Sequence, residues 1–522
     1  MAPVPTREKV DVLIVGAGAA GSVVAASAAQ RGRQVLVLEA GPARQLSDLA
    51  SSQIWARCLK WSGAPVEEEG NLKIGHNFNA GWGTGGSALH QYAVWPRLHE
   101  VDFKVRSTHG RGLDWPLEYA DLRPYYDRIQ AEVGLSGDAS VEKWRPPGEG
   151  YPMPPLPVFR QGQAIARGFR ERGLSTAPIP LAINSQAFRG RPSCLFDGWC
   201  DAGCPIGALA NPLVTYLAWA RAGGAEIRNH ATVARVLHDA SGRRVTGVVY
   251  FDESGVQREV HASVVVLAAF AVQNARLLLA STSERHPAGL SNRNDLVGRY
   301  LLTHPANSVY GLFPGETEPH LGPTGGQLIC HDHYDDKGAL KGGFGSYQWL
   351  IANAMKPNDL LGIATTRPDI YGPALDPFMR RAARHLGNMV FVGEDIARPE
   401  NRVTLSGGRD RHGIPLARTI HDITAETDAM AKHAVAEGLA IFDAAGATET
   451  WPGPRFGMHI MGGTVMGEDP AHSVTDSYGR CHELDNLYIA GPGLFPTSGA
   501  VNPTFTIHAL ALRTAEHILD AL

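Results

Sequence analysis

Two clusters in this 522-residue chain combine residue type and spacing in a way that could do chemistry. Gly16-Ala17-Gly18-Ala19-Ala20-Gly21 has G-x-G-x-x-G spacing, and Glu39 follows 23 residues after Gly16. Such a turn suits a dinucleotide. The first glycine permits a tight turn, the second lets the backbone approach a pyrophosphate, and the third allows a helix to pack closely on a strand. The helix N-terminus adds N–H groups and the positive end of its dipole. Gly16, Gly18, Ala19, Ala20 and Gly21 are therefore expected at the cofactor, with Glu39 accepting hydrogen bonds from a ribose. The second cluster is Cys194, Cys200 and Cys204, spaced C-x5-C-x3-C, with Pro205 directly after. Three thiolates in a glycine-bearing loop suit an iron–sulfur cluster. Tetrahedral zinc would want a fourth ligand, and no obvious one lies nearby in sequence. The plainer alternatives are reduced thiols that only shape a loop, or a disulfide from Cys194 to Cys200 or Cys204. Cys58, Cys330 and Cys481 are isolated and read as inert.

The elements that must hold these residues are legible around them. Val10 to Val15 is a short β-branched run and predicts a buried parallel strand. A helix is expected from Ser22 to Gln30, broken at Gly32, and a second strand over 34–38 ends at Glu39. Further strands are expected at 225–228, 231–236, 244–250, 264–269 and 486–491. A helix runs through 273–278, and another from about 506 to 522. Between about 300 and 450, short alternating runs such as Asn401 to Leu405, with scattered Pro and Gly, predict an antiparallel sheet with covering helices. The cofactor domain is thus read as discontinuous.

Composition narrows the function classes. Lys+Arg 48 against Asp+Glu 52 gives a net charge of −4, which argues against a basic nucleic-acid binder and an acidic disordered tail. Glycine is enriched, 59 residues or about 11%, against an average near 7%. Six cysteines are too few for a disulfide scaffold. The uncharged run from Val12 to Ala29 follows Arg7 and Lys9 and has the look of a leader or membrane span. Its glycines and serines, the acids Glu8 and Asp11, and its split into strand, turn and helix favour the globular reading. No membrane span and no twin-arginine leader are expected. A cytoplasmic location is expected, or a periplasmic one if the chain is exported with a partner subunit.

Three later stretches stand in a recognisable order: Gly83-Thr84-Gly85-Gly86-Ser87, His459-Ile460-Met461-Gly462 with Met466-Gly467, and Pro496 through Thr504. Together with the opening fingerprint they resemble the glucose–methanol–choline family of FAD-dependent oxidoreductases. Within it the chain looks most like bacterial sugar dehydrogenases and the pyranose and glycoside oxidases. The resemblance implies an α/β fold with a Rossmann-like FAD-binding domain over 1–300 and 452–522, carrying a Cys-containing loop near 191–208. An inserted antiparallel-sheet substrate domain is expected over 301–451. It implies oxidation of an alcohol, such as a sugar or glycoside hydroxyl, with a hydride passing to flavin N5. The hydroxyl proton needs a base neutral near pH 7, a task that suits histidine, and the oxygen needs a second donor. His459 and Asn502 match those positions. Gly85, Gly86, Ser87, His90, Val233, Asn502 and Thr504 are implied as further FAD contacts. In some relatives a histidine at the place of His90 bonds covalently to the flavin; packing beside the ring system is the plainer reading. Similar sugar dehydrogenases carry a three-iron cluster on a comparable Cys triplet, which would serve an electron-accepting partner subunit or carrier. One departure stands out: Gly463 occupies the usual threonine place and Thr464 follows one later, so the threonine contact is expected to be lost while the base remains. The readings set against this are a non-catalytic or electron-relay flavoprotein, and an oxygen-using alcohol oxidase without a cluster. Tyr347, Trp349 and His385 are sugar-stacking candidates for which core packing is the default.

Overall fold

The computed structural model describes residues 8–60 and 63–522, so Arg7, in the charged lead-in weighed above, lies outside the described residues. The opening β-branched run forms strand Glu8–Val15, at the middle of a seven-stranded sheet. Val35–Leu38 and Gln257–Leu267 flank it in parallel, Glu226–Arg228 lies beyond the first, and Leu487–Ile489 pairs in parallel with the second. The antiparallel strands Val245–Phe251 and Thr232–His238 complete the sheet. Val12, Leu13, Ile14, Leu36 and Val37 are fully buried, as continuous apolar strands covered on both faces must be. Helix Ala19–Gln30 is made of small residues and buries nearly its whole length. Helix Thr504–Ala521 is the last element and is buried over most of Phe505 to Leu519. Helices Ala19–Gln30 and Ala271–Ala280 begin just past the C-terminal ends of the parallel strands Glu8–Val15 and Gln257–Leu267.

A second sheet of six antiparallel strands runs in the order Glu449–Met461, Leu302–Leu312, Leu386–Gly393, Tyr347–Ile351, Leu328–Cys330 and Ala177–Pro178. Helices Arg160–Glu171 and Ala425–Ala444 cover one face, closing a core of Ile165, Phe169, Trp349, Phe391 and Phe442. The expected substrate-domain limits differ from this sheet in two places. The boundary at 451/452 falls inside strand Glu449–Met461, which pairs with Leu302–Leu312 almost end to end. The segment 402–420, expected in the inserted sheet, instead forms a hairpin of Arg402–Arg409 and Pro415–Ile420. That hairpin adds Glu67–Glu69 in parallel and packs beneath Ala271–Ala280 on the cofactor side. No described helix is long and apolar enough to cross a membrane.

Candidate active site

A cavity of about 1140 Å³ opens between the two sheets. At one end it is lined by Gly16, Gly18, Ala19, Ala20 and Glu39, further along by Gly86, Ser87, His90 and Val233, and at the other sheet by His459, Asn502 and Thr504. Gly21 and Gly85 stand behind this wall. Gly16 has φ +106°, and a Cβ on Gly21 would lie 2.0 Å from the Gly16 carbonyl oxygen. Gly85, at φ +98°, donates its N–H to the Ala17 carbonyl at 3.0 Å and ties the second glycine turn to the first. Helix Ala19–Gln30 begins at Gly18 with no side-chain cap, so its first N–H groups face the cavity without a protein partner.

Glu39 does more than the fingerprint suggested. Its carboxylate accepts the N–H groups of Ala17 at 2.9 Å, Gly41 at 2.9 Å and Gly83 at 3.1 Å. A carboxylate offers about four acceptor sites, so one is left for a ribose hydroxyl. His90 is half-buried, with its Nε2 enclosed and unpartnered, and desolvation pushes its pKa down to about 3. His76, which carried no motif signal, also lines the cavity; both its ring nitrogens are orphaned, and burial lowers its pKa to about 4. Buried polar atoms left without partners along a cleft are what a bound group would satisfy. The glycine cradle, the uncapped helix and these orphaned nitrogens fit FAD.

His459 sits where strand Glu449–Met461 loses register. Met458 pairs with His304 and Met461 with Leu302, so one extra residue is inserted, and His459 takes φ +60°. A bulge of this kind re-aims a side chain. The imidazole turns into the cavity, with Nδ1 2.9 Å from His304 Nδ1 and Nε2 3.3 Å from Asn502 Nδ2. Burial, then the nearby His304 ring, holds the pKa of His459 well below its ordinary value, so the ring is neutral near pH 7. Asn502 is placed by Gln348, whose Nε2 donates to Asn502 Oδ1 at 3.0 Å. His304 and Gln348 had no signal in the sequence, since they lie 155 and 154 residues from the groups they hold. Thr464 Oγ1 is buried without a partner and does not reach the cavity, as the shifted spelling implied. Tyr347 and Trp349 point away and donate to Glu437 at 3.1 Å each, while His385 bonds the Gly315 carbonyl; none lines the cavity.

The Cys triplet is brought together. Cys194, Cys200 and Cys204 line one small cavity of about 20 Å³. Each sulfur accepts a backbone N–H, from Phe196 at 3.3 Å, Thr324 at 3.5 Å and Leu209 at 3.3 Å respectively. All six cysteines are free, so the disulfide alternative is not formed. Burial raises Cys194 to about 11 and Cys200 to about 12. Among the described residues no three His, Cys, Asp or Glu side chains converge on a single-ion site. Asp201, next in sequence to Cys200, lines the large cavity, with Lys60 at 3.7 Å and Lys356 at 3.4 Å.

Comparison with known proteins identifies the family. Residues 10–306 and 397–511 match the two family models described as GMC oxidoreductase. The fructose dehydrogenase large subunit of Gluconobacter japonicus is 30% identical, with 98% of each chain covered. The 2-methyl-1,2-propanediol dehydrogenase of Mycolicibacterium austroafricanum is 31% identical, covering 98% of this chain and 96% of that one. Among solved structures, pyridoxine 4-oxidase from Mesorbium loti has a TM-score of 0.66 at 17% identity, covering 97% of this chain and 98% of that one.

Proposed function

This chain belongs to the GMC oxidoreductase family of FAD-dependent enzymes acting on CH–OH groups, and from that premise we propose that it oxidises a sugar or glycoside hydroxyl with His459 as the base. The observation that carries the reading is the pair His459 Nε2 and Asn502 Nδ2, 3.3 Å apart on the cavity wall. A hydroxyl oxygen set against both atoms gives its proton to His459 and accepts an N–H from Asn502. Bound FAD supplies the acceptor for the hydride that leaves the carbinol carbon. A neutral His459 needs no prior deprotonation, and Asn502 offsets the charge that grows on the oxygen as its proton leaves. The sugar class rests on the named relatives, which include paromamine 6'-oxidase of Streptomyces fradiae, 28% identical over 98% of this chain. Anaerobic mixing of the holoenzyme with a panel of sugars, glycosides and simple alcohols tests it. Flavin bleaching by sugars ahead of simple alcohols is expected; bleaching by none would return the chain to a non-catalytic flavoprotein.

A second reading concerns the electron acceptor. Cys194, Cys200 and Cys204 share one cavity, and their loop reaches the large cavity through Asp201. That placement supports a cluster held by the three thiolates, whose chemistry is one-electron transfer to a partner subunit or carrier. Protein prepared without oxygen is then expected to contain about three irons and acid-labile sulfide per flavin. Full flavin with no iron would leave oxygen or a soluble acceptor as the oxidant.

A further inference from the structure

A line of hydrogen-bonded side chains runs from the Asn502 amide to the protein surface. Gln348 Nε2 donates to the Ala500 carbonyl at 2.7 Å and to Asn502 Oδ1 at 3.0 Å. Gln348 Oε1 lies 3.0 Å from His331 Nε2, and His331 Nδ1 lies 3.1 Å from His99 Nε2. His99 Nδ1 then meets Asp335 at 2.7 Å, a carboxylate 62% exposed. All the groups between Asp335 and His459 are buried.

Two backbone carbonyls fix the direction of these bonds. A carbonyl only accepts, so the Gln348 amide must turn its NH₂ to Ala500 and its oxygen to His331. Asn502 therefore meets an N–H with its oxygen and is left presenting its own NH₂ to His459 Nε2. On the other side of the base, His304 Nε2 lies 3.2 Å from the Ser498 carbonyl, so that nitrogen carries the proton. His304 Nδ1 is then a lone pair, and His459 Nδ1 must donate to it at 2.9 Å. Both constraints give one answer: the proton of neutral His459 is on Nδ1, and Nε2 is an open acceptor facing the cavity. Ser498, Ala500 and Asn502 belong to one loop, so a single segment sets both sides.

We propose that Gln348 is a positioning residue: anchored by the Ala500 carbonyl and backed by His331, it locks the Asn502 amide with N–H rather than C=O toward His459 Nε2, which keeps that nitrogen a lone-pair acceptor. The proposal rests on the reading of His459 as the base, and it assigns the residue that holds the Asn502 donor in place while His304 holds the other side of the ring. Without Gln348, Asn502 loses the donor that holds its oxygen away. The amide is then free to turn its oxygen toward Nε2, which competes with the His304 bond for the ring proton and takes the N–H donor away from the substrate oxygen.

The test is the ¹⁵N spectrum of histidine-labelled holoenzyme, with His459 identified by the signals lost in His459→Ala. In the wild type, His459 is expected to show protonated Nδ1 and unprotonated Nε2, and His304 the reverse. In Gln348→Met, which fills the space without the amide, His459 Nε2 is expected to shift toward the protonated position. Flavin reduction should slow about tenfold at equal FAD loading, the effect of one hydrogen bond lost from a transition state. A protonated His459 Nε2 in the wild type overturns the proposal, and so does a Gln348→Met spectrum identical to wild type. If Gln348→Met does not fold, the isosteric Gln348→Glu, which sets an acceptor against Asn502 Oδ1, is read by the same spectrum and decides in the same way. The ring signals report the tautomer whether or not any alcohol reduces the flavin, so failure of this inference and failure of the base assignment are told apart.

Discussion

At the scale of single residues, Glu39 holds more of the cofactor end than its place in the fingerprint suggests. Its carboxylate ties three loops through Ala17, Gly41 and Gly83 before any ribose arrives. Removing it orphans three N–H groups, and each buried orphan costs about 1–3 kcal/mol. Glu39→Ala is therefore expected to purify mostly without FAD and with a lowered thermal midpoint, read from the flavin-to-protein absorbance ratio and a melt. Normal loading would show that the cradle does not need this acid. The proposed base, His459, has its own residue-scale consequence. Burial and His304 hold its pKa well below 6.5, so the rate of flavin reduction should be flat around neutral pH and fall only on the acid side. A rate still rising through pH 7 would mean that a different group supplies the base.

At the scale of elements, close backbone approach decides what can change. A Cβ on Gly21 would lie 2.0 Å from the Gly16 carbonyl oxygen, which is backbone and cannot step aside. Gly407, in the hairpin over 402–420, has nothing within 4 Å of its would-be Cβ. Gly21→Ala should cost about 1–3 kcal/mol by overpacking and lose FAD, while Gly407→Ala should stay within about 0.5 kcal/mol of wild type. Urea unfolding of both variants checks the contrast. The same scale shows what could be read beforehand. The end of strand Glu8–Val15 and residues 264–267 of strand Gln257–Leu267 announce themselves because burial on both faces demands unbroken Val, Ile and Leu, whereas the exposed, polar start of the latter does not. Strand Glu449–Met461 does not, because Pro452, Gly453 and Pro454 read as a loop. It tolerates them as the edge strand of its sheet, with a break in register between Pro452 and Arg455. The second break, which aims His459, depends on pairing with Leu302–Leu312 and has no local signature. His459 and Asn502 drew attention through a motif, whereas the groups that hold them, His304 and Gln348, are brought in by tertiary pairing alone.

At the scale of the whole molecule, the fold holds several histidines, His76 and His90 on the cavity wall and others away from it, in the neutral form. Burial lowers His76, His304 and His508 to about 4, and His90 and His331 to about 3. Each folded-state value lies below the unfolded value near 6.5, so below that pH the unfolded chain binds more protons than the folded one. Stability is then full above pH 6.5 and is lost as pH falls, by about 1.4 kcal/mol per unit for each group until its folded pKa is reached. The melting temperature should accordingly drop steeply between pH 6 and about pH 4, and a flat profile there would mean that these rings are solvated. The central claim, that His459 is the base for alcohol oxidation, is tested most directly by anaerobic stopped-flow reduction of His459→Ala at a saturating sugar or alcohol that reduces the wild type. With FAD bound at wild-type occupancy, reduction is expected to slow by about 10²–10⁴-fold, the usual loss when a general base is removed. Reduction of the variant flavin at the wild-type rate would contradict the account.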